Sequence, residues 1–411
     1  MFDLIVRGDA GDIGVADGLI AAVAPELAGA REEIDARGLL VLPGGLDPHV
    51  HFNEPGRTHW EGFATGSAAL AAGGYTAFFD MPLNSSPPVT DGAAFDAKLA
   101  AASASSCLDF GLWGGLVPGN LDRLEELAER GVVGLKAFMS DSEIEDFARA
   151  DDATLYEGMA KAAALGLPVA VHAENDALTA RPRGPAARDW LASRPVVAEL
   201  EAISRALLFA AETGCALHVV HVSSARGVAL VAEARSRGAD VTCETCPHYL
   251  FLTPEDVETL GAIAKCAPPI RGEEGLLDGV DLVASDHSPS PPELKAGTFA
   301  EAWGGIAGAQ STRELLLGAV GPDAVAQLTA AAPATRFRIA GKGRIEVGAD
   351  ADLALVAPEP YTLQASDLRH RHRVSPYVGR RMPARVVRTL LRGADPAPGA
   401  GRLLRPTMRA C

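Results

Sequence analysis

The chain has 411 residues, 48% of them hydrophobic and 22% charged, with a formal net charge of -16 and a pI near 5.1. That length suits one large α/β domain with an appendage, and the acidic balance excludes nucleic acid or an anionic membrane surface as the main partner, since both demand clustered positive charge. Six cysteines are too few and too irregularly spaced to staple it, Asp3 and Arg7 interrupt any secretory signal, and no apolar run spans a bilayer, so the expectation is a reduced, cytoplasmic protein acting on a small molecule.

In chain order, "MFDLIVRGD", "GLIAAVAP" and "GLLVLPG" are short apolar runs broken by Gly, Asp and Pro, the punctuation of a small β layer. From about residue 43 apolar strands alternate with longer Ala/Leu/Glu-rich stretches. The predicted strands are "YTAFFDMPL", "FGLWGGLV", "GVVGLKAFM", "LPVAVHAE", "ALHVVHVSS", "ADVTCETC" and "VDLVASDHS". The predicted helices, "NLDRLEELAERG", "ATLYEGMAKAAALG", "AISRALLFAAETG" and "GVALVAEARSRG", each close on Gly. Such alternation implies a parallel sheet, either closed as a (β/α)8 barrel or open and doubly wound; periodicity does not choose between them. "GRIEVGADADLALVAP" and "RVVRTLLRG" are strand-like again, and "ADPAPGAGRLLRP" is extended. Both ends are therefore expected to meet in one small β domain, residues 1–42 and 343–411, with residues 43–342 inserted between them.

Side chains able to bind a metal stand at the C-terminal ends of the strands: His49 and His51, Lys136, His172, His221 and Asp286. In a parallel barrel that rim carries active sites. Period-2 geometry puts His49 and His51 on one side of their strand, yet an isolated H-x-H also reads as two polar residues at a strand end. Lys136 is either a lysine that reaches water or a costly unpaired ammonium in an apolar strand. His172 and His221 read as ligands or as hydrogen-bonded core histidines, and Asp286 as a ligand or a turn residue. His218 points to the other face of its strand and is read as structural, as is the lone C-x-x-C of Cys243 and Cys246. Imidazoles with a carboxylate suit zinc or a similar divalent ion able to activate water.

As a set in this order, H-x-H, Lys, His, His and Asp resemble the cyclic-amide branch of the amidohydrolase superfamily: dihydroorotases, hydantoinases and allantoinases. The likeness runs from "DPHVHF" through "AGGYTAFFDMPLN", "GLKAFM", "HAEN", "HVVHVSSARGV", "CETCPHYL", "KCAPPIR" and "SDHSP" to "GRIEVGADADLALV". It implies a (β/α)8 TIM-like barrel with a small β-sandwich domain formed by both chain ends. It also implies two divalent metal ions, zinc ahead of cobalt, manganese, nickel or iron. His49 and His51 would bind the more buried ion, His172 and His221 the more exposed one, with carboxylated Lys136 bridging them. Asp286 would bind the buried ion and act as the catalytic acid and base. A homo-oligomer, a tetramer, is implied as well.

Within the branch, Asn53 stands where dihydroorotases usually carry an Arg for the substrate carboxylate, and the Met-Pro-Phe-like stretch of hydantoinases is absent. "HFNEPGRTHWEGF", "DMPLNSSPP", "KCAPPIR", "AWGGIAGAQ" and "RHRVSPYVGRRMPARVVRTLLRG" are instead similar to allantoinases. The implied reaction is ring opening of allantoin to allantoate. Hydantoins, dihydropyrimidines or dihydroorotate are the alternative substrates, and a non-catalytic scaffold of the same fold is the remote alternative. Asn53, Asn84, Ala267, Ser288 and Gly304 are expected to face the cyclic ureide. His248 and His287 are expected behind the ligands, and His59, His370 and His372 at the surface. "ENDALTARPRGPAARDWLASRP" and "RGEEGLLDGVDLVASDHSP" are shorter than in typical relatives, which bears on substrate fit.

Overall fold

In the computed structural model, which describes residues 1–179 and 184–407, strands form where β-branched and aromatic residues cluster and stop at Gly, Pro or Asp. The chain opens with β1 (Phe2–Gly8), β2 (Gly11–Ala16), β3 (Leu19–Ala24) and β4 (Ala30–Asp35), a sheet in the order β3-β2-β1-β4. β4, "AREEID", is absent from the predicted strands because it is largely charged and mostly exposed; only its parallel pairing with β1 makes it a strand. β5 (Leu40–Pro43) leads into the next unit.

That unit comprises β6 (Gly45–Val50), β7 (Tyr75–Asp80), β8 (Asp109–Leu112) with its continuation β9 (Gly114–Gly115), β10 (Leu135–Phe138), β11 (Val169–His172), β12 (Leu217–Val219), β13 (Val241–Thr245) and β14 (Leu282–Val283). All pair in parallel, in chain order. A parallel bridge from Val50 to His287 joins the last strand to the first, with the His51 amide donating to the His287 carbonyl at 2.8 Å. The sheet is therefore a closed barrel, which decides between the two readings that periodicity left open. Side chains cap several connecting helices: Asp91 for Gly92–Ser105, Asp151 for Asp152–Ala164 and Ser224 for Ala225–Ser236. Gly131 and Gly214 end theirs in the left-handed region, where only glycine is unstrained.

The barrel interior is plugged by aromatic rings. Phe337 meets Phe79 and Trp113 edge-on, each at 5.3 Å, and the Trp113 indole donates to the Pro48 carbonyl at 2.9 Å, just before His49. Apolar packing thus fills the barrel and pins the strand that carries the H-x-H pair. After the barrel come β15 (Leu353–Ala357), β16 (Tyr361–Thr362), β17 (Arg381–Met382) and β18 (Arg385–Leu390). β15 pairs antiparallel with both β18 and β5, so the two chain ends share a sheet. This sheet and the β1–β4 sheet form a sandwich around Leu4, Val6, Val15, Leu353, Leu355 and Leu390. The five described cysteines are free and buried, and no described helix is long and apolar enough to cross a membrane.

Candidate metal centre

His49 on β6 and His51 just beyond it point to one place, as their spacing requires. Their ring centroids are 5.4 Å apart, and their Nε2 atoms lie 3.3 and 3.4 Å from Asp286 Oδ1. These three side chains form a group compact enough to hold one metal ion. His172 ends β11 and His221 follows β12; His172 Nδ1 and His221 Nε2 are 3.0 Å apart, and the His221 ring centroid is 5.5 Å from that of His49. Asp286 and His221 both have left-handed backbones, φ 43° and 40°, which are unfavourable for residues with side chains and gather at functional sites.

Lys136 on β10 does not reach water. Its ammonium is fully buried, has no hydrogen-bond partner among the described residues and sits 5.1 Å from the Phe138 ring. Burial pulls its pKa down to about 8, and its charge in turn helps to lower the basicity of His49, His172 and His221, whose pKa values are depressed first of all by burial. Burial pushes the Asp286 carboxyl up, but His49, His51 and His221 outweigh it and hold the group well below the usual carboxylate range.

Two carboxylates behind the rings escaped the sequence reading. Glu244 on β13 lies 2.5 Å from His49 Nδ1 and 3.0 Å from His218 Nε2. Burial alone would raise it, yet those two histidines hold it at about 2. Glu174 lies 2.8 Å from His172 Nε2 and 2.5 Å from Arg194 Nη1. The signal in the sequence was the cost of a charge there: Glu244 interrupts a buried strand, and Glu174 follows His172 at the same-face spacing. His218 keeps its structural position, bonded also to Thr242 Oγ1 at 2.8 Å.

The donor set fits a cation. With Nδ1 of His49 donating to Glu244, its Nε2 presents a lone pair towards the carboxylate oxygen of Asp286. With Nε2 of His172 donating to Glu174, its Nδ1 is left as an acceptor, 3.0 Å from His221 Nε2. A lone pair turned on a carboxylate oxygen, as at His49 and Asp286, is repelled unless positive charge lies between them. Imidazole and carboxylate oxygen are the donors that divalent transition metals take.

The site opens into a cleft lined by Asn84, Ala267, Ser288 and Gly304, together with Arg194 and Trp303. Asn53 is not part of that wall: buried, with φ 63°, it donates from Nδ2 to the Pro289 carbonyl at 3.2 Å, behind Ser288. His248 and His287 are fully buried near the site, as expected. His59 is exposed and His372 half-buried, but His370 is not a surface residue: it is buried, with Nε2 3.1 Å from the Val374 carbonyl. Its ring lies 5.6 Å from that of His287, a contact across the fold that a local sequence reading could not anticipate. Residues 180–183 of the shortened stretch after His172 lie outside the described residues.

Residues 40–393 match the profile of the amidohydrolase family, and the chain belongs to that family. Among its relatives is the allantoinase of Rubrobacter xylanophilus, 58% identical over 444 aligned positions that cover 98% of each chain. The allantoinase of Solibacter usitatus is 53% identical, covering 99% of this chain and 97% of its own. Of solved structures, the L-hydantoinase (dihydropyrimidinase) from Arthrobacter aurescens superposes with a TM-score of 0.94 at 33% identity, covering 98% of this chain and 100% of that one. The span aligned with the Rubrobacter protein exceeds the 411 residues present here, in keeping with stretches that this chain has shortened.

Proposed function

We propose that the chain is an allantoinase, opening the ring of allantoin by hydrolysis of its cyclic amide to give allantoate. His49, His51 and Asp286 would hold the more buried of two divalent ions, zinc by preference, and His172 and His221 the other, with Lys136, carboxylated by carbon dioxide, joining them. Bound there, the ions supply a water that loses its proton near neutral pH and draw charge from the amide carbonyl. The depressed pKa of Lys136, about 8, raises the fraction of free amine at neutral pH, the form that reacts with carbon dioxide. Asp286 takes the proton of the attacking water and returns it to the ring nitrogen, so a C–O bond forms, the C–N bond breaks and no proton is gained or lost.

The charge of the cleft wall argues against a ring that bears a carboxylate, and the allantoinase relatives carry the choice among neutral rings. Among the described residues Arg194 is the single cation of the cleft wall, and Glu174 neutralises it at 2.5 Å, while Asp141 and Glu143 add negative charge. Among the described residues a ring bearing a carboxylate, such as dihydroorotate, finds no free cation there; a neutral ring such as allantoin needs none. Asn84, Ser288 and the backbone at Ala267 and Gly304 would hydrogen-bond to the ureide, with Asn53 supporting the Ser288 loop through Pro289. The names of the relatives point to the same substrate. The family reading also carries a homotetramer, a cytoplasmic location and a barrel over residues 43–342 between the halves 1–42 and 343–411 of the end domain.

The test is turnover of allantoin, hydantoin, dihydrouracil and dihydroorotate by protein prepared with zinc and bicarbonate. Allantoin should have the highest kcat/KM; opening of dihydroorotate but not allantoin overturns the assignment. Lys136→Ala should lose both bound metal and turnover, and full activity in that variant would contradict its bridging role.

A further inference from the structure

Gly304 and Gly305 line the cleft, and the chain around them is tied down by two lysines. Lys265, from "KCAPPIR", donates from Nζ to the carbonyls of Ala302 at 2.6 Å and Ala300 at 3.1 Å, and its own carbonyl accepts the Gly305 amide at 2.8 Å. Lys295 donates from Nζ to the carbonyls of Gly305 at 2.6 Å and Trp303 at 2.9 Å. The Trp303 amide goes to Leu294 and the Ala302 amide to Thr298. Neither lysine forms an ion pair among the described residues; both direct their hydrogen bonds to main-chain carbonyls, and the Lys265 ammonium also lies 4.3 Å from the Trp190 ring. Every backbone polar group from Ala302 to Gly305 is thereby satisfied except the N–H and C=O of Gly304, which have no partner among the described residues.

A main-chain unit without a partner is one that water or a ligand must serve. The neighbouring glycine is fixed by the fold, since at φ +111° a Cβ on Gly305 would lie 2.3 Å from the Ser288 carbonyl oxygen. Gly304 is different. A Cβ there would meet only the Lys265 carbonyl oxygen, at 3.9 Å, so the protein leaves open space beside that peptide.

We propose that Lys265 and Lys295 are positioning residues for substrate: by holding the carbonyls on both sides of Gly304 they present its N–H and C=O to the –CO–NH– unit of a cyclic ureide. The inference rests on the ring-opening function proposed above. Lys295 also lines a cavity of about 420 Å³, large enough to admit a small alkylammonium ion.

In Lys295→Ala, KM for allantoin should rise about tenfold with kcat within roughly threefold of wild type, the pattern of lost binding rather than lost chemistry. Metal content should stay unchanged, and added ethylammonium should lower KM again in the variant but not in wild type. Lys265→Met should raise KM in the same way. A wild-type KM in Lys295→Ala, or a fall in kcat together with metal loss and no response to the amine, overturns the proposal. Should the lysine variants not fold, Gly304→Ala has room to fold normally; it should raise KM, and an unchanged KM there also overturns it. The comparison uses whichever cyclic amide wild-type protein opens, so failure of the allantoin assignment is read separately from failure of this inference.

Discussion

At the scale of single residues, Glu244 governs the geometry of the candidate metal centre without belonging to the donor set. Its Oε1 meets His49 Nδ1, its Oε2 meets His218 Nε2, and His218 is held in turn by Thr242. This chain keeps the His49 proton on Nδ1 and frees Nε2 to face Asp286. In Glu244→Gln the side chain keeps its shape but can offer an N–H to Nδ1, which moves the proton to the ligating nitrogen. We expect a fall in metal affinity of about 10–100-fold with the fold retained, measured by competition with a chelator. Undiminished affinity would mean that Glu244 does not set the tautomer. The donors themselves were legible because each is a polar residue at the end of an apolar run. Glu244 was not, because its meaning comes from His49, which the chain brings to it from 195 residues away.

At the scale of elements, the barrel's first turn hangs on a buried ion pair. Asp80, at the end of β7, accepts the Phe52 amide at 2.7 Å through Oδ1 and the Lys98 ammonium at 2.5 Å through Oδ2; Lys98 also donates to the Met81 carbonyl at 2.6 Å. Both side chains are fully buried, so the helix Gly92–Ser105 is locked to the segment that leaves His51. Lys98→Met strands the carboxylate and should destabilise by about 3–5 kcal/mol, with Lys98→Met/Asp80→Asn recovering part of the loss. Urea denaturation measures both, and a single-variant cost below about 1 kcal/mol would show that the pair does not hold this turn. Strands and helices in the middle of the chain could be read because their apolar periods, Gly ends and caps are local. β4 could not, since an exposed, charged edge strand carries no apolar alternation. Nor could closure, because it is made by Val50 and His287 at opposite ends of the barrel sequence.

At the scale of the whole molecule, the join between barrel and end domain turns on Glu314, in the helix Thr312–Val320 that follows the barrel strands. It accepts the Val386 amide of β18 through Oε1 and the Tyr361 hydroxyl of β16 through Oε2, both at 2.7 Å. Burial nevertheless raises its pKa from 4.5 to about 7. The folded state therefore holds the proton more tightly than the unfolded chain. The stability this contributes is fully present below about pH 4.5 and is lost as the pH rises towards 7, with no further change above. Glu314→Gln removes the titration while keeping an oxygen that accepts one of the two bonds. The stability of wild type relative to Glu314→Gln should fall by roughly 1–3 kcal/mol between pH 5 and pH 8. Paired urea denaturation of the two proteins across that range measures it, because the difference cancels the other buried groups that titrate there, Asp47 and Glu61 among them, each also raised to about 7 by burial. A difference that stays level with pH would mean that Glu314 is ionised throughout, and the two end-domain strands would then be anchored to the barrel by a carboxylate rather than by an acid that gives up its proton near neutrality.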